Sequence, residues 1–309
     1  MTMSTAVKPW VAIQRNPMSG AGSQREILLQ LIRELHRHEI VPRVFADRAQ
    51  LARWIQDPQK RGRLRCIVAA GGDGTAADVF NRYPDIPVAL LPMGTENLLS
   101  RCLGIECSGE VVGGMIAENR RRRLDLCELN HLSADPSSIR QRFAVVASAG
   151  FDADIIHRAH AARTGHITRL AYLQPICDTV QNYPYPPMRV WLDDATEPHV
   201  CRFVVVMNLP AYALGLPIAA QAQGDDGWLD VRLFEGGSLL QMLRYFTATI
   251  VRQHEGLSDV VSVRARRIRI ESDVAVPMQV DGDPAGFTPA EIRILPGALD
   301  IYSPQGDVR

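Results

Sequence analysis

The sequence predicts an α/β fold: an N-terminal domain with a doubly wound, mostly parallel sheet, then a domain built on an antiparallel sheet. Three observations carry this. Short apolar runs alternate with helical patterns over the first third of the chain. Glycine-bearing turns follow three of those runs. After Arg120–Arg123, strand follows strand with few helices between. A chain of 309 residues is also long for one compact core.

The elements follow in order. Trp10 to Ile13 reads as a strand and Asn16 to Gly22 as the turn after it. The next helix carries Ile27, Leu28, Leu31, Ile32 and Leu35 on one face, and Ser23 with Glu26 has capping-box spacing at its start. Val41 to Ala46 is the second strand. Cys66 to Ala70, a continuous apolar run of the buried parallel kind, is the third, and Val88 to Leu91 the fourth. Ligands bind such sheets at the carboxyl ends of the strands, where the turns lie. The boundary is expected near 125, giving domains 1–125 and 126–297, with 298–309 packing back on the first. In the second domain Leu124 to Leu129, Phe143 to Ala149, Met188 to Leu192, Cys201 to Asn208, Leu229 to Phe234 and Val260 to Ile270 predict strands. Helical stretches interrupt them at Ile155 to Val180 and Leu239 to Val251.

Composition narrows the partners. Lys+Arg and Asp+Glu balance at 34 each, so no global field draws the chain to nucleic acid. Arg120–Arg123 reads as a solvated segment, with local phospholipid contact as the alternative. The six cysteines form no C-x-x-C pair, which fits buried thiols in a reducing cytosol. The N-terminus lacks a signal-peptide layout, and no apolar stretch approaches the ~18 residues of a membrane span. The expected location is cytoplasmic, peripheral at the inner membrane surface if the substrate is a lipid. A homodimer is compatible with all of this.

The chemistry sits in the turns. Asn16-Pro17-Met18-Ser19-Gly20, Gly71-Gly72-Asp73-Gly74-Thr75 and Pro92-Met93-Gly94-Thr95-Glu96-Asn97 each follow a predicted strand. Glycines let the backbone approach a phosphate, and successive amides with a helix N-terminus supply its donors. Ser19, Thr75, Thr95 and Asn97 can add side-chain donors, and the Asp73 carboxylate can hold Mg²⁺ against phosphate oxygens. Any one turn alone would be a plain connection; three in one domain make that reading poor. No G-x-x-x-x-G-K-[ST] run is present. Asp281-Gly282-Asp283 follows the apolar run Pro277 to Val280, and on spacing alone it reads equally as a hairpin turn before Glu291 to Leu295. His157, His160 and His166 read as surface or packing residues, and Tyr183 to Pro187 as a rigid loop or a lipid-facing lip.

N-P-x-S-G, G-G-D-G-T and P-x-G-T-x-N together resemble the diacylglycerol kinase catalytic family, which includes sphingosine and ceramide kinases and shares its fold with NAD kinase. The resemblance continues through Gly150-Phe151-Asp152-Ala153 with Gly165 and Tyr172, Asp225 to Asp230, Val280 to Asp283, and Pro296 to Leu299 with Pro304. It implies transfer of the ATP γ-phosphate to a lipid hydroxyl at a membrane surface, with Mg²⁺. The phosphates would lie on Gly71, Gly72, Gly74 and Thr75, with Asn16 to Gly20 and Thr95 completing the pocket. A second-domain metal would take Gln223, Asp226 and the carbonyl of Trp228. The family's general base maps to Asp283, with Asp281 as the alternative. The chain departs from the family at Ala46, at Ala76-Ala77-Asp78 and at Glu96-Asn97-Leu98-Leu99. An NAD kinase, or a non-catalytic sensor of lipid or nucleotide, is the competing reading.

Overall fold

A computed structural model describes residues 8–15, 24–132, 140–162, 173–210, 212 and 215–308. The chain divides into two compact units, Met1–Leu124 with Leu299–Arg309, and Asp125–Ala298.

In the first unit the described elements are β1 (Trp10–Arg15), α1 (Gln24–Arg37), β2 (Val41–Phe45), α2 (Arg48–Gln56), α3 (Pro58–Arg61), β3 (Leu64–Gly71), α4 (Asp73–Arg82), β4 (Val88–Pro92), α5 (Leu98–Cys102) and α6 (Gly109–Ala117). The chain leaves this unit within β5 (Arg120–His131). The sheet runs β2-β1-β3-β4 with every pair parallel. Val11, Ile13, Ile67, Val68, Leu90 and Leu91 are almost wholly buried, as a parallel sheet's apolar runs require. A Cβ on Gly109 would strike the Ile27 carbonyl, so α6 can lie this close to α1 only with glycine there. The arginine run is the first turn-out of β5, and two of its charges are used locally. Arg120 pairs with Glu118 at 2.5 Å and Arg121 with Asp300 at 2.8 Å.

The second unit continues with β6 (Gln141–Phe143), β7 (Val146–Ala149), α7 (Phe151–Ala161), α8 (Leu173–Asn182), β8 (Met188–Leu192), β9 (His199–Cys201), β10 (Phe203–Met207), β11 (Leu229–Phe234), α9 (Leu239–Ile250), β12 (Val260–Ala265), β13 (Arg267–Ser272), β14 (Pro277–Val280), β15 (Asp283–Phe287) and β16 (Ala290–Tyr302). The chain re-enters the first unit within β16 and ends with β17 (Asp307–Val308). One antiparallel sheet runs β12-β11-β10-β7-β14-β15. A second antiparallel set joins β16, β13, β8 and β9. Side chains of both, such as Val204, Val231 and Met278 with Val190, Ile268 and Ile292, form one core. The unit is therefore a sandwich of two sheets.

That second sheet explains three departures from the sequence reading. Val260 to Ile270 is not one strand: it breaks at Arg266, where the Asp193 carboxylate accepts the Arg266 and Arg267 amides at 2.8 and 2.9 Å, and each half joins a different sheet. Cys201 to Asn208 breaks at Arg202 in the same way. Phe143 to Ala149 breaks at Ala144-Val145, whose amides are drawn to Asp281. Apolar periodicity reports burial, which both sheets share, so it cannot show where a strand changes sheets. Tyr183 and Tyr185 are no lip either. They are 8% and 6% exposed, and both pack on Phe151.

Candidate functional site

In the first unit the second and third glycine turns form one body. Gly71 ends β3, and its carbonyl accepts the Met93 amide at 2.9 Å. A Cβ on Gly94 would lie 2.5 Å from the Gly72 Cα, so the two turns touch backbone to backbone. Asn97, at φ 49°, closes the third turn by accepting from Gly94 N and donating to Gly94 O, both at 2.9 Å. Asp73 ties the two together: its carboxylate accepts the Leu98 and Leu99 amides at 2.9 and 3.1 Å, capping α5. The structure thus brings Gly71, Gly72, Asp73, Gly74 and Thr75 beside Thr95 and Asn97. Thr75 is folded in against Gly71 and buried, whereas Gly74 and Thr95 are exposed. Asn16, Pro17, Met18, Ser19 and Gly20 lie outside the described residues, as do Ser23, Gly165, His166 and Tyr172.

This arrangement fits a phosphate chain. The N-terminus of α4 begins at Gly72 with no side chain capping it, and helix amides that lack a cap bind anions. The acidic group displaced to Asp78 is already neutralised, by Arg48 at 3.2 Å and Arg82 at 2.8 Å, while accepting from Gln14 at 2.6 Å. Asp73→Ala removes two charge-assisted bonds worth about 1.5 kcal/mol each and loosens the joint. It is expected to lower the melting temperature by several degrees and kcat/KM for ATP at least about tenfold. Near-normal turnover in the folded variant would sink the phosphate assignment.

In the second unit Gln223, Asp226 and Trp228 share one loop. The site suits a divalent cation poorly. Asp226 contacts the Arg264 guanidinium and accepts the Trp228 amide at 3.0 Å, and Gln223 is exposed. Arg264 and Arg266 also stand over the Trp228 ring, at 5.6 and 4.3 Å. Arg264 already supplies the positive charge. Mg²⁺ without nucleotide should therefore leave the melting temperature unchanged; a rise that grows with Mg²⁺ concentration would restore the metal.

The Asp281-Gly282 pair is a two-residue hairpin turn between β14 and β15, with φ of 47° and 85°, as a type I′ turn requires. The strand after the turn is thus Asp283–Phe287 rather than Glu291 to Leu295. Asp281 faces back into the sheet: its carboxylate accepts Ala144 N at 2.8 Å and Val145 N and Val146 N at 2.9 Å. Asp283 is half-buried at the first position of β15. A polar chain fixes the turn from below. Gln279 accepts the Gly282 amide at 2.9 Å and donates to Ser148 Oγ at 2.8 Å, and Ser148 donates to Asp152 at 2.6 Å. Tyr212 donates to the same carboxylate. Burial raises the Asp152 carboxyl above the usual range, against the pull of the Ser148 and Tyr212 hydrogen bonds.

Sequence reasoning passed over Ser148, Gln279, Tyr212 and Asp125. Asp125 is 3% exposed, and it accepts Gly227 N at 2.8 Å and Gly297 N at 2.7 Å, pinning the loop that bears Asp226. The usable signal was a lone polar residue inside an apolar strand, as in Leu124-Asp125-Leu126. His157 is a packing histidine, bonded to the Met278 carbonyl at 2.8 Å and set against Phe287.

Residues 11–129 match the family described as the diacylglycerol kinase catalytic domain, and residues 145–303 the one described as the YegS C-terminal NAD kinase beta sandwich-like domain. A diacylglycerol kinase of Mycobacterium tuberculosis is 27% identical over 296 residues, which is 94% of this chain and 94% of the relative. A solved diacylglycerol kinase from Bacillus anthracis has a TM-score of 0.69 at 19% identity, covering 97% of this chain and 98% of that one. Yeast NADH kinase reaches 0.54 at 17% identity, covering 96% and 82%. Both structural likenesses concern the fold. On these matches, the chain belongs to the family described as the YegS C-terminal NAD kinase beta sandwich-like domain, whose model spans more than half of it, and its residues 11–129 to the diacylglycerol kinase catalytic domain family.

Proposed function

We propose that the protein is an ATP-dependent lipid kinase, a phosphotransferase that moves the γ-phosphoryl group of MgATP to the hydroxyl of diacylglycerol or a similar lipid. The observation that carries this reading is the interlocked pair of glycine turns at the uncapped start of α4. Amides held by their own packing lose little freedom when they meet phosphate, so their charge stabilisation is not offset by ordering. Mg²⁺ bound to the nucleotide would neutralise phosphate charge. Asp73 sets the distance between the two turns. Asp283 accepts the proton of the lipid hydroxyl as the new phosphorus–oxygen bond forms and the bond from the γ-phosphorus to the bridging oxygen breaks, releasing ADP. Asp281 holds the hairpin on which Asp283 sits. The buried free thiols Cys66, Cys127 and Cys201 fit work in a reducing cytosol, at the inner face of the membrane.

Incubation with γ-labelled ATP and a panel of dispersed lipids, followed by chromatography of the products, tests the reading. Label is expected in a lipid product, and NAD is expected to give none. Stoichiometric ADP with phosphorylated dinucleotide would make the protein an NAD kinase. ATP binding without any labelled product would make it a sensor.

A further inference from the structure

Helix α9 is apolar on both of its sides. Met242, Tyr245 and Thr249 face inward. Tyr245 fastens the helix by accepting the Gly236 amide at 2.8 Å and donating to Asp259 at 2.6 Å, and Arg244 pairs with Asp259 at 2.8 Å. At about 100° per residue, Leu239, Leu240, Leu243, Phe246, Ile250 and the capping Val251 fill an arc of roughly 140° opposite the buried side. These side chains are 36% to 77% exposed. They are six of the fourteen large apolar side chains exposed among the described residues, which concentrates on one helix what is otherwise scattered. Thr247 alone interrupts the arc, and its hydroxyl turns back to the carbonyls of Leu243 and Arg244, at 3.0 and 2.9 Å.

We propose that this face of α9 docks on a phospholipid bilayer, lying in the plane of the interface with Leu240, Leu243 and Phe246 inserted at the headgroup boundary. The proposal rests on the lipid-kinase reading, because an enzyme with that substrate must meet it at such a surface. Two observations favour a bilayer over a second copy of the chain. The apolar face, six side chains that are 36% to 77% exposed, offers at most several hundred Å² of accessible surface, short of the roughly 800 Å² per partner of a stable protein interface. A bilayer sets no such minimum, since one shallowly inserted helix face suffices for interfacial binding. The charges agree. Residues 239–254 hold no carboxylate, and although Arg244 is paired with Asp259 and His254 is buried, Arg252 is exposed just past the helix end, which suits anionic headgroups.

Flotation with phosphatidylcholine vesicles, with and without phosphatidylglycerol, tests this on the full chain. Wild type is expected to float, more strongly with phosphatidylglycerol. A Leu240→Gln, Leu243→Gln, Phe246→Gln variant with unchanged melting temperature is expected to lose about tenfold or more of its binding. It should lose activity on vesicle-embedded lipid in proportion, yet keep its kcat/KM on a water-soluble short-chain substrate. Equal flotation of variant and wild type would overturn the proposal. So would a wild-type dimer that the variant converts to monomer, which would make the face a contact between copies. Should the triple variant not fold, Leu240→Trp reports insertion directly: its emission should shift to the blue on vesicles, and an unshifted spectrum would overturn the proposal. Absence of any lipid product with wild type in every assay would defeat the kinase reading, while flotation still judges the surface.

Discussion

Asp283→Asn is expected to lower turnover on the lipid by about 10²–10⁴-fold, the usual contribution of a positioned general base, while ATP affinity and melting temperature stay close to wild type. An alcohol is a weak nucleophile at neutral pH, and asparagine preserves the size and hydrogen bonding of aspartate but cannot accept a proton. The position suits the task. The turn before Asp283 is fixed by Asp281 on one side and by the Gln279–Ser148–Asp152 chain on the other, so the residue that follows it starts from a set backbone. Normal turnover in the folded variant would remove Asp283 from the chemistry and leave the base to be sought elsewhere.

The fold class could be read from the sequence because each unit has its own periodicity. Continuous apolar runs such as Cys66 to Ala70 need burial on both faces, which a parallel sheet under helices provides. The dense strands after Leu124 mark the antiparallel part. The corners were not legible. Arg202 and Arg266 interrupt runs that stay apolar because both sheets face one core, and what turns the chain at Arg266 is a carboxylate seventy-odd residues away, Asp193. The glycine turns could be found from composition, but not what their residues touch. Asp73 sits among glycines in a way that suggests an open carboxylate; the structure gives it two amides of the next turn instead. Asp226 reads by itself as a turn cap and only through the family resemblance as a metal ligand; the structure sets Arg264, nearly forty residues on, against it. Contacts made across the chain decide these cases, and local pattern holds no record of them.

Asp281→Ala is expected to act on stability where Asp283→Asn acts on rate. Its carboxylate accepts three amides of the break between β6 and β7. Burying donors without partners costs about 1–3 kcal/mol apiece, so a loss of at least roughly 3 kcal/mol, or about 10 °C in melting temperature, is expected for a unit of this size. Alanine also fits the left-handed φ of 47° badly, which adds about 1 kcal/mol. Two further variants separate these causes. Asp281→Gly relieves the backbone but still lacks the carboxylate, so it should recover only the smaller part of the loss. Asp281→Asn tolerates the φ and keeps one acceptor oxygen, so it should fall between wild type and glycine and, once folded, turn over lipid at a rate near wild type. A glycine variant as stable as wild type would show that the carboxylate holds nothing. A stable but inactive Asp281→Asn, beside an active Asp283→Asn, would exchange the roles of the two aspartates.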